Sequence, residues 1–484
     1  MVKKIKELLF QNKNIRQTIA KNAFWLSSGE IIGRILRAGV IIYSARILGA
    51  EQWGIFSYAI TLAAMFTIFS DIGLSSVLTR EAAKDPLNRD RYFSTIFVFK
   101  IILIIILFAA ILLGTPYFTK IPISRMLIIL TALMLVFDSL RNFGNALFRA
   151  IEKMEREALI NIITQGVILI AGMIVLFKYP SPENLAFAYV IGSVVGLIVS
   201  ISFLLPFLKK IFSHFDINLF KPIIVAAWPF GIVGVLGAVM INTDTIMIGW
   251  MESAKEVGFY VAAQKPIMLL YIFPSLIAGA FFPVLARLAH KDDERFRSLL
   301  EKGLSFIFLL ALPFSIGILL TAPQIINLLY GSEYRPAIAS LQILALTIIT
   351  AYSASIITNS IFAYNRQKVL IGYAAIGALG NVILNALFIP LWGIEGAALS
   401  TIFTQILSIG YAWWKMKKIN NFSIFKNLKK IILAALLMAI FVRLLQLLDL
   451  PLLIIILAAG AFYFLILLLF KEKILFQMRS LLES

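Results

Sequence analysis

The chain has 484 residues, of which 61% are hydrophobic and only 14% are charged, and its mean hydropathy is +0.93. Soluble globular proteins carry about 25% charged residues, so this composition excludes a water-soluble globular protein. The formal net charge is +19, but the basic residues cluster between apolar runs, as in the inner loops of membrane proteins. We therefore expect no nucleic-acid partner. The absence of cysteine excludes disulfides, thiolate metal sites and cysteine nucleophiles.

Residues 1–22 are predicted to form a basic lead-in on the cytosolic side. They contain six Lys or Arg and one short apolar patch, Leu8–Phe10. This patch is too short for the apolar region of a signal peptide, and no small-residue cleavage site follows it. The segment is expected to lie on anionic lipid headgroups.

The remaining chain alternates long apolar runs with short polar loops. A helix needs about 20 mainly apolar residues to cross a bilayer, and the runs lack the alternation of a membrane β-barrel. The sequence therefore predicts an all-α integral membrane protein of about 14 transmembrane helices, near residues 23–48, 54–79, 92–114, 124–148, 158–178, 183–208, 219–249, 257–286, 298–321, 336–364, 369–390, 394–416, 428–448 and 451–470. The stretch Pro323–Tyr330 could instead form a short helix on the outer surface.

The charges in the loops predict the orientation of these helices. With the N-terminus inside, the inner loops and termini hold 32 of the 44 Lys and Arg, and the outer loops hold six. Loops on the cytoplasmic side carry such an excess of basic residues. The prediction is a multi-pass protein of the cell membrane with both termini in the cytosol.

Parts of the sequence occur twice. Residues 49–56 match residues 253–260, and the spans that follow end alike at residues 77–85 and 284–292. A weaker match relates residues 145–148 to residues 359–362. The spacing predicts two parallel six-helix lobes, 23–208 and 219–416, joined by a cytosolic linker at 209–218. The helix pair at 428–470 and a cytosolic tail at 471–484 lie outside the duplication.

Charged residues inside the predicted spans are candidates for a binding cavity, because a charge in the bilayer is costly and usually serves a function. Glu30 and Arg34 can pair along one helix face, which leaves Arg37 to face a ligand. Arg141, which follows Asp138 by one turn, and Lys265 complete a cationic set. One arginine side chain can bind two phosphate oxygens at once, so an anionic headgroup is the expected ligand. Snorkelling or structural pairing is the alternative.

Lys100, Asp71 and Arg443 are also charged residues within the spans. For these three, we favour the structural interpretation.

A second polar set lies in the seventh, eleventh and twelfth spans and consists of Asn242, Asp244, Asn381, Asn385, Thr401, Thr404 and Gln405. One carboxylate surrounded by amide, hydroxyl and carbonyl oxygens suits a hard cation such as Na⁺, or a proton. Polar contacts that hold helices together would explain the same residues.

Several motifs resemble the Wzx-type polysaccharide-biosynthesis flippases. They are residues 22–26 (NAFWL), 45–54 (ARILGAEQWG) and 70–74 (SDIGL) in the first half, and residues 244–249 (DTIMIG), 257–260 (VGFY) and 393–398 (GIEGAA) in the second. That family belongs to the multidrug/oligosaccharidyl-lipid/polysaccharide exporter superfamily, as does the lipid II flippase MurJ.

The resemblance implies two six-helix lobes in a V shape that move an isoprenoid-pyrophosphate-linked sugar across the inner membrane, with glycan-assembly enzymes as possible partners. It also implies a cationic cavity, which fits Glu30, Arg34, Arg37, Arg141 and Lys265. The sodium site of MurJ falls on five positions here: Asp244, Asn381, Asn385, the Ala397 carbonyl and Thr401. Asn385 stands where MurJ has an acidic ligand, so this site carries less charge. Na⁺ or H⁺ is the expected coupling ion, and no other cofactor is expected.

Three other functions agree less well with the sequence. A multidrug exporter of the same superfamily would bind cationic drugs, which the arginines of the first span disfavour. A membrane enzyme such as a polymerase of lipid-linked sugar would need large outer loops and a catalytic motif, and the sequence has neither. A structural scaffold would not need charges within the membrane. The sequence therefore predicts a transporter and not an enzyme.

Overall fold

A computed structural model describes residues 10–472 except residues 13, 115, 116, 118 and 210. Residues 1–9 of the predicted lead-in and residues 473–484 of the predicted tail lie outside this range. The chain divides into two compact units, Met1–Gly258 and Phe259–Ser484. The lobes inferred from the duplication divide at residues 209–218 instead, and that division stays a prediction.

The first unit contains eight helices and the start of a ninth among its described residues. They are α1 (Ile15–Thr67), α2 (Leu74–Lys84), α3 (Arg89–Gly114), α4 (Arg125–Ala150), α5 (Met154–Lys178), α6 (Pro182–Leu208), α7 (Ile211–His214), α8 (Phe220–Met251) and α9 (Ala254–Leu270), whose last twelve residues belong to the second unit.

Helix α1 continues through a bend at one residue, and it therefore covers the first predicted span and most of the second. Gly49 has a φ of 72°, a left-handed conformation that glycine adopts without steric cost. The second span then breaks at a short 3₁₀ turn, Ile68–Ser70, and restarts as α2 after Gly73, whose φ is 86°. Gly73 also lies against α8, because a Cβ here would lie 2.5 Å from the Ala227 carbonyl oxygen. The sequence predicted one continuous helix here, and that prediction was wrong.

The second unit continues from α9 with α10 (Ile272–Leu288), α11 (Asp293–Leu329), α12 (Ala337–Ala345), α13 (Thr347–Ala363), α14 (Gln367–Ile419), α15 (Phe425–Gln446) and α16 (Leu452–Leu469). Helix α14 bends at Gly393, where φ is 54°, and covers the eleventh and twelfth predicted spans. The stretch Pro323–Tyr330 is not a separate outer helix, because α11 continues through it to Leu329.

The described residues confirm an all-α membrane architecture. Ten of their helical segments are long and apolar enough to cross a membrane. Long apolar side chains such as Ile105, Leu113 and Leu457 are exposed, as expected where lipid replaces water around a helix. The number of fourteen spans stays a prediction, since the bent helices and the broken spans can be counted in more than one way.

The turns after the fourth and tenth spans have the same geometry, which supports the duplication. Glu152 and Asn365 both have a positive φ, at 56° and 55°. In each turn the next backbone N–H donates to a carbonyl five residues earlier, from Lys153 to Phe148 at 2.8 Å and from Arg366 to Ile361 at 3.2 Å.

A second contact also occurs once in each unit. Arg91 donates to the carboxylate of Asp216 in the first unit, and Arg297 donates to the side chain of Asn420 at 3.1 Å in the second. In both units the segment after the sixth span of the repeat is thereby fastened to the helix that forms its third span.

Candidate functional site

Glu30, Arg34 and Arg37 lie on the part of α1 that packs beside α5. Gly29 and Gly33 let α5 approach closely, because a Cβ at Gly29 would lie 2.7 Å from the Ala158 backbone and one at Gly33 would lie 2.5 Å from the Asn161 amide. The Asn161 amide also donates to the Gly29 carbonyl at 2.9 Å. Two glycines four residues apart are a common means of close packing between membrane helices. This packing determines which side of α1 carries the charged residues of the following turns.

The Glu30–Arg34 pair predicted from the sequence is present, with 2.7 Å between Arg34 Nε and Glu30 Oε1. One turn later, Arg37 Nε lies 3.4 Å from Gln165 Oε1 of α5. Arg37 is exposed and forms no ion pair within the described part of the chain. The positive charge of Arg37 is therefore not neutralised by a carboxylate of the described chain.

Arg141 of α4 is 8% exposed and pairs with Asp138 at 3.0 Å. Helix α6 leaves room for it at Gly196, where a Cβ would lie 3.2 Å from Arg141 Cδ and 2.0 Å from the Thr164 hydroxyl. The Arg141 side chain is thus held between helices of the first unit, and the Asp138–Arg141 pair expected from their spacing is present.

Lys265 lies in α9, is half-buried and belongs to the second unit. Glu30, Arg34, Arg37 and Arg141 belong to the first unit. Their common role in binding a headgroup stays a prediction.

The Asp71–Lys100 pair has the structural role that the sequence favoured. Lys100 is 2% exposed, and its Nζ lies 2.8 Å from Asp71 Oδ1. Asp71 also accepts from the backbone N–H of Ser75 at 3.3 Å and from its hydroxyl. Burial of an ion pair is tolerated when further hydrogen bonds satisfy its atoms. The pair joins the break after α1 to α3.

This break opens a polar cavity in the first unit that was not predicted from the sequence. The cavity has a volume of about 840 Å³ and lies between the end of α1, α2 and α4, with Lys100 of α3 and Phe230 of α8 on its walls. We call it the α2–α4 cavity. Its neutral polar lining comes mainly from Ser70, Ser75, Ser76, Thr79, Ser139, Asn142 and Asn145.

The sequence does contain a pattern that indicates this cavity. Asp138, Asn142, Asn145 and Arg149 recur every three or four residues along α4 and all line the cavity. Residues with this spacing share one face of a helix. The break at Ser70-Asp71-Ile72-Gly73 places a second group of polar residues opposite that face.

The candidate sodium ligands of the second unit lie on the two limbs of α14. Asn385 Nδ2 donates to Asn381 Oδ1 at 3.1 Å, and both side chains are buried. On the other limb, the Thr401 hydroxyl donates to the Ala397 carbonyl at 3.1 Å. The limbs pack together after the bend, since a Cβ at Gly380 would lie 3.3 Å from the Thr404 methyl carbon. These amide, hydroxyl and carbonyl oxygens are of the kind that fits a hard cation.

Asp244 supplies the one carboxylate of the predicted set and is 2% exposed. It lies in α8, in the first unit, and the other four positions lie in the second. Within the described residues, no group of three His, Cys, Asp or Glu side chains could hold a metal ion. The five-residue set stays a prediction.

Comparison with known families places the chain in one of them. The family model described as "Polysaccharide biosynthesis protein" matches residues 19–289. The chain belongs to this family. A second model, MatE, matches residues 229–387. The resemblance inferred from the motifs is therefore confirmed.

Relatives of the chain include proteins named as transporters. The chain is 24% identical to the "Probable low-salt glycan biosynthesis flippase Agl15" of Haloferax volcanii, over 79% of this chain and 80% of that protein. It is 28% identical to the "Putative O-antigen transporter" of Shigella flexneri, over 82% of this chain and 97% of that protein. These names agree with the prediction of a transporter and not an enzyme.

The fold of this family member also resembles solved structures. The lipid II flippase MurJ, in an inward closed conformation, has a TM-score of 0.76 at 19% identity and covers 93% of this chain and 99% of its own. An inward-facing multidrug resistance transporter of the MATE family has a TM-score of 0.60 at 14% identity, over 86% of this chain and 98% of its own. At this identity the likeness shows the fold alone. It confirms the predicted fold class.

Proposed function

We propose that this protein is a flippase that moves an isoprenoid-(pyro)phosphate-linked oligosaccharide from the cytosolic to the outer leaflet by alternating access. Its membership of the polysaccharide biosynthesis family supports this proposal, and two relatives are named as a glycan flippase and an O-antigen transporter. The protein would act in the inner, cytoplasmic membrane with both termini in the cytosol. Enzymes that assemble the glycan would supply its substrate.

The observation that carries the proposal is the exposed Arg37 in the first span, which has no carboxylate partner within the described part of the chain. A charge in the membrane is costly and typically faces a water-filled cavity or a ligand. A guanidinium presents a planar set of donors that matches phosphate oxygens. Arg37 would therefore bind the phosphate groups of the lipid, and Arg34, Arg141 and Lys265 would complete the cationic set.

Movement in one direction needs a source of energy, and we propose ion coupling. Asp244, Asn381, Asn385, the Ala397 carbonyl and Thr401 would bind Na⁺, or Asp244 would bind H⁺. Coupling requires that the ion and the lipid each favour a different state of the transporter.

A second candidate is a multidrug exporter, which the MatE match over residues 229–387 favours. Exporters that take cationic drugs would be hindered by an unneutralised arginine, because like charges repel. Arg37 therefore favours the flippase.

The proposal is tested in cells that depend on this protein for a surface glycan. We expect Arg37→Ala to lower the surface glycan about tenfold or more, as loss of a charge-assisted contact worth roughly 1.5–3 kcal/mol implies. Arg125→Ala is the matched control, because Arg125 is exposed at the start of α4. Normal surface glycan with Arg37→Ala would contradict the role of Arg37, and drug efflux without glycan export would favour the second candidate.

A further inference from the structure

The α2–α4 cavity separates its charged groups from its neutral ones. Five charged residues line it: Asp71, Arg80, Lys100, Asp138 and Arg149. Each forms an ion pair, three of them with residues outside the lining. The pairs are Lys100 with Asp71 at 2.8 Å, Arg80 with Glu81 at 2.6 Å, Arg141 with Asp138 at 3.0 Å, and Arg149 with Glu157. The charges of the walls are therefore neutralised within the protein.

The neutral groups of the lining are different. The Ser76 hydroxyl and the Asn142 amide are exposed and form no hydrogen bond to any residue that the structure describes. The Asn145 amide oxygen is buried and also has no hydrogen-bond partner in the described chain. A buried amide oxygen without a partner costs free energy, so this group is suited to a ligand that donates hydrogen bonds.

We propose that the α2–α4 cavity binds the sugar part of the lipid-linked oligosaccharide. Sugar hydroxyls donate and accept hydrogen bonds without carrying charge, which matches neutral amides and hydroxyls between neutralised ion pairs. The walls of the cavity offer a pyrophosphate no cation that is without a carboxylate partner. Arg37 would bind the phosphate, and the cavity would bind the sugar.

The size of the cavity agrees with this assignment. A volume of about 840 Å³ lies within the range of about 300–1,000 Å³ that is usual for small-molecule sites. The lining follows α4 from Leu135 to Arg149, a length of roughly 20 Å at 1.5 Å per helical residue. This length accommodates more than one sugar ring.

Asn142 is the residue on which the inference depends most. Its amide offers two donors and one acceptor, and its exposure into the cavity lets the side chain change without disturbing the packed core. The exposed Ser76 lies on α2, on the opposite wall. Replacement of both by apolar residues would remove hydrogen-bonding groups and leave every ion pair of the cavity in place.

The inference rests on the proposed function, and one binding experiment separates the two. The full-length protein is placed in lipid nanodiscs, and Kd is measured for a bare polyprenyl pyrophosphate and for the same lipid carrying a disaccharide. The disaccharides form a panel of neutral hexose, N-acetylhexosamine and uronic acid types. The readout is the ratio of the Kd of the bare lipid to the Kd of the glycosylated lipid.

For the wild type we expect at least one disaccharide to tighten binding about tenfold, which corresponds to about 1.4 kcal/mol, a gain that a few hydrogen bonds can supply. Asn142→Leu and Asn142→Leu/Ser76→Val should reduce the ratio towards one and leave the Kd of the bare lipid unchanged. Asn327→Leu is the matched control, since Asn327 is exposed in α11 of the second unit, and it should preserve both Kd values. Size-exclusion profiles and Tm confirm that the variants are folded.

A wild-type ratio of one for the whole panel would overturn the inference, as would a raised ratio that the double variant leaves intact. An equal loss of affinity for both lipids in the Asn142 variants would also overturn it. In each of these cases the bare lipid still binds the wild type, and the proposed function stands. Failure of the wild type to bind either lipid would contradict the proposed function itself.

Discussion

Gly54 lies so close to Ala254 that a Cβ in place of its hydrogen would be 1.7 Å from the Ala254 carbonyl oxygen. The contact is reciprocal, because a Cβ at Gly258 would be 1.9 Å from the carbonyl oxygen of Ala50. Ala50 and Gly54 are four residues apart in one segment, and Ala254 and Gly258 are four residues apart in the other. The sequence identified these two segments as duplicated. All four residues lie in the first unit. Residues 50–54 and residues 254–258 therefore pack together through close backbone contacts that only glycine permits.

We predict that Gly54→Ala lowers the stability of the purified protein by roughly 1–3 kcal/mol, the usual cost of overpacking. The obstructing atom belongs to the backbone and cannot rotate away. Thermal unfolding in detergent measures the effect. Gly237→Ala is the control, because a Cβ at Gly237 would meet nothing within 4 Å. Equal Tm values for Gly54→Ala and the wild type would show that this close packing does not exist in this form.

Lys21 fastens the start of α1 to the turn between α4 and α5. Its Nζ lies 2.6 Å from Asn12 Oδ1, 3.2 Å from the Glu152 carbonyl oxygen and 3.1 Å from Glu155 Oε2, and its side chain is fully buried. Lys21→Met should cost about 2 kcal/mol, because hydrogen bonds to charged groups contribute roughly 1.5–3 kcal/mol.

The loss from Lys21→Met appears as a lower Tm. Lys84→Met provides the comparison, since Lys84 is 66% exposed and lies 4.0 Å from Glu81, and such surface pairs contribute little. If the two variants unfold at the same temperature, Lys21 does not anchor the helix.

The Arg91–Asp216 contact predicts a pH dependence. The hydrogen bond from Arg91 is the main cause that lowers the pKa of Asp216 below its usual value of 3.8, and the backbone N–H of Asn218 adds to it. A carboxyl whose pKa is lower in the folded state stabilises the fold above its unfolded pKa, and this contribution is lost as the pH falls towards the folded pKa.

Asp216→Asn should therefore lower Tm at pH 7, and the difference from the wild type should shrink as the pH falls through about 4 towards the lower folded pKa. Asp449→Asn, a substitution at an exposed carboxylate, should follow the wild type throughout. A difference that stays constant with pH would contradict the role of the Asp216 carboxylate.

The proposed sodium site predicts a thermal shift that depends on the ion. Na⁺ at ten times its Kd should stabilise the wild type by about 1.4 kcal/mol, and an equal concentration of K⁺ should have a smaller effect. Asp244→Asn should remove this shift because it removes the one carboxylate of the set, and Asp449→Asn should retain it. No difference between Na⁺ and K⁺ in the wild type would exclude sodium coupling through these residues.

Much of the fold could be predicted because the bilayer restricts a chain to few structures. Continuous apolar runs indicated membrane helices, and the i, i+4 spacing of Glu30 and Arg34 indicated their ion pair, which the structure shows at 2.7 Å. The repeated segments indicated a duplication, which the matching turns at Glu152 and Asn365 support.

The polar face of α4 indicates one wall of the α2–α4 cavity, but continuous apolar runs do not indicate the opposite wall. It depends on the break between Ile68 and Gly73, which interrupts a run that is apolar enough to read as one helix. Close packing of Gly73 against α8 is a tertiary contact, and hydropathy does not predict such a contact. The predicted ion-binding and headgroup-binding residues stay predictions for a similar reason, because spacing along a helix does not show which helices lie together.

The flippase account is tested most directly by purified protein in liposomes. Lipid-linked oligosaccharide is placed in one leaflet, and its appearance in the other is followed with a glycosidase or lectin that cannot cross the membrane. The account predicts transfer well above the rate in protein-free liposomes, and a much slower rate for Arg37→Ala than for Arg125→Ala. Transfer by the wild type at the protein-free rate would contradict the account.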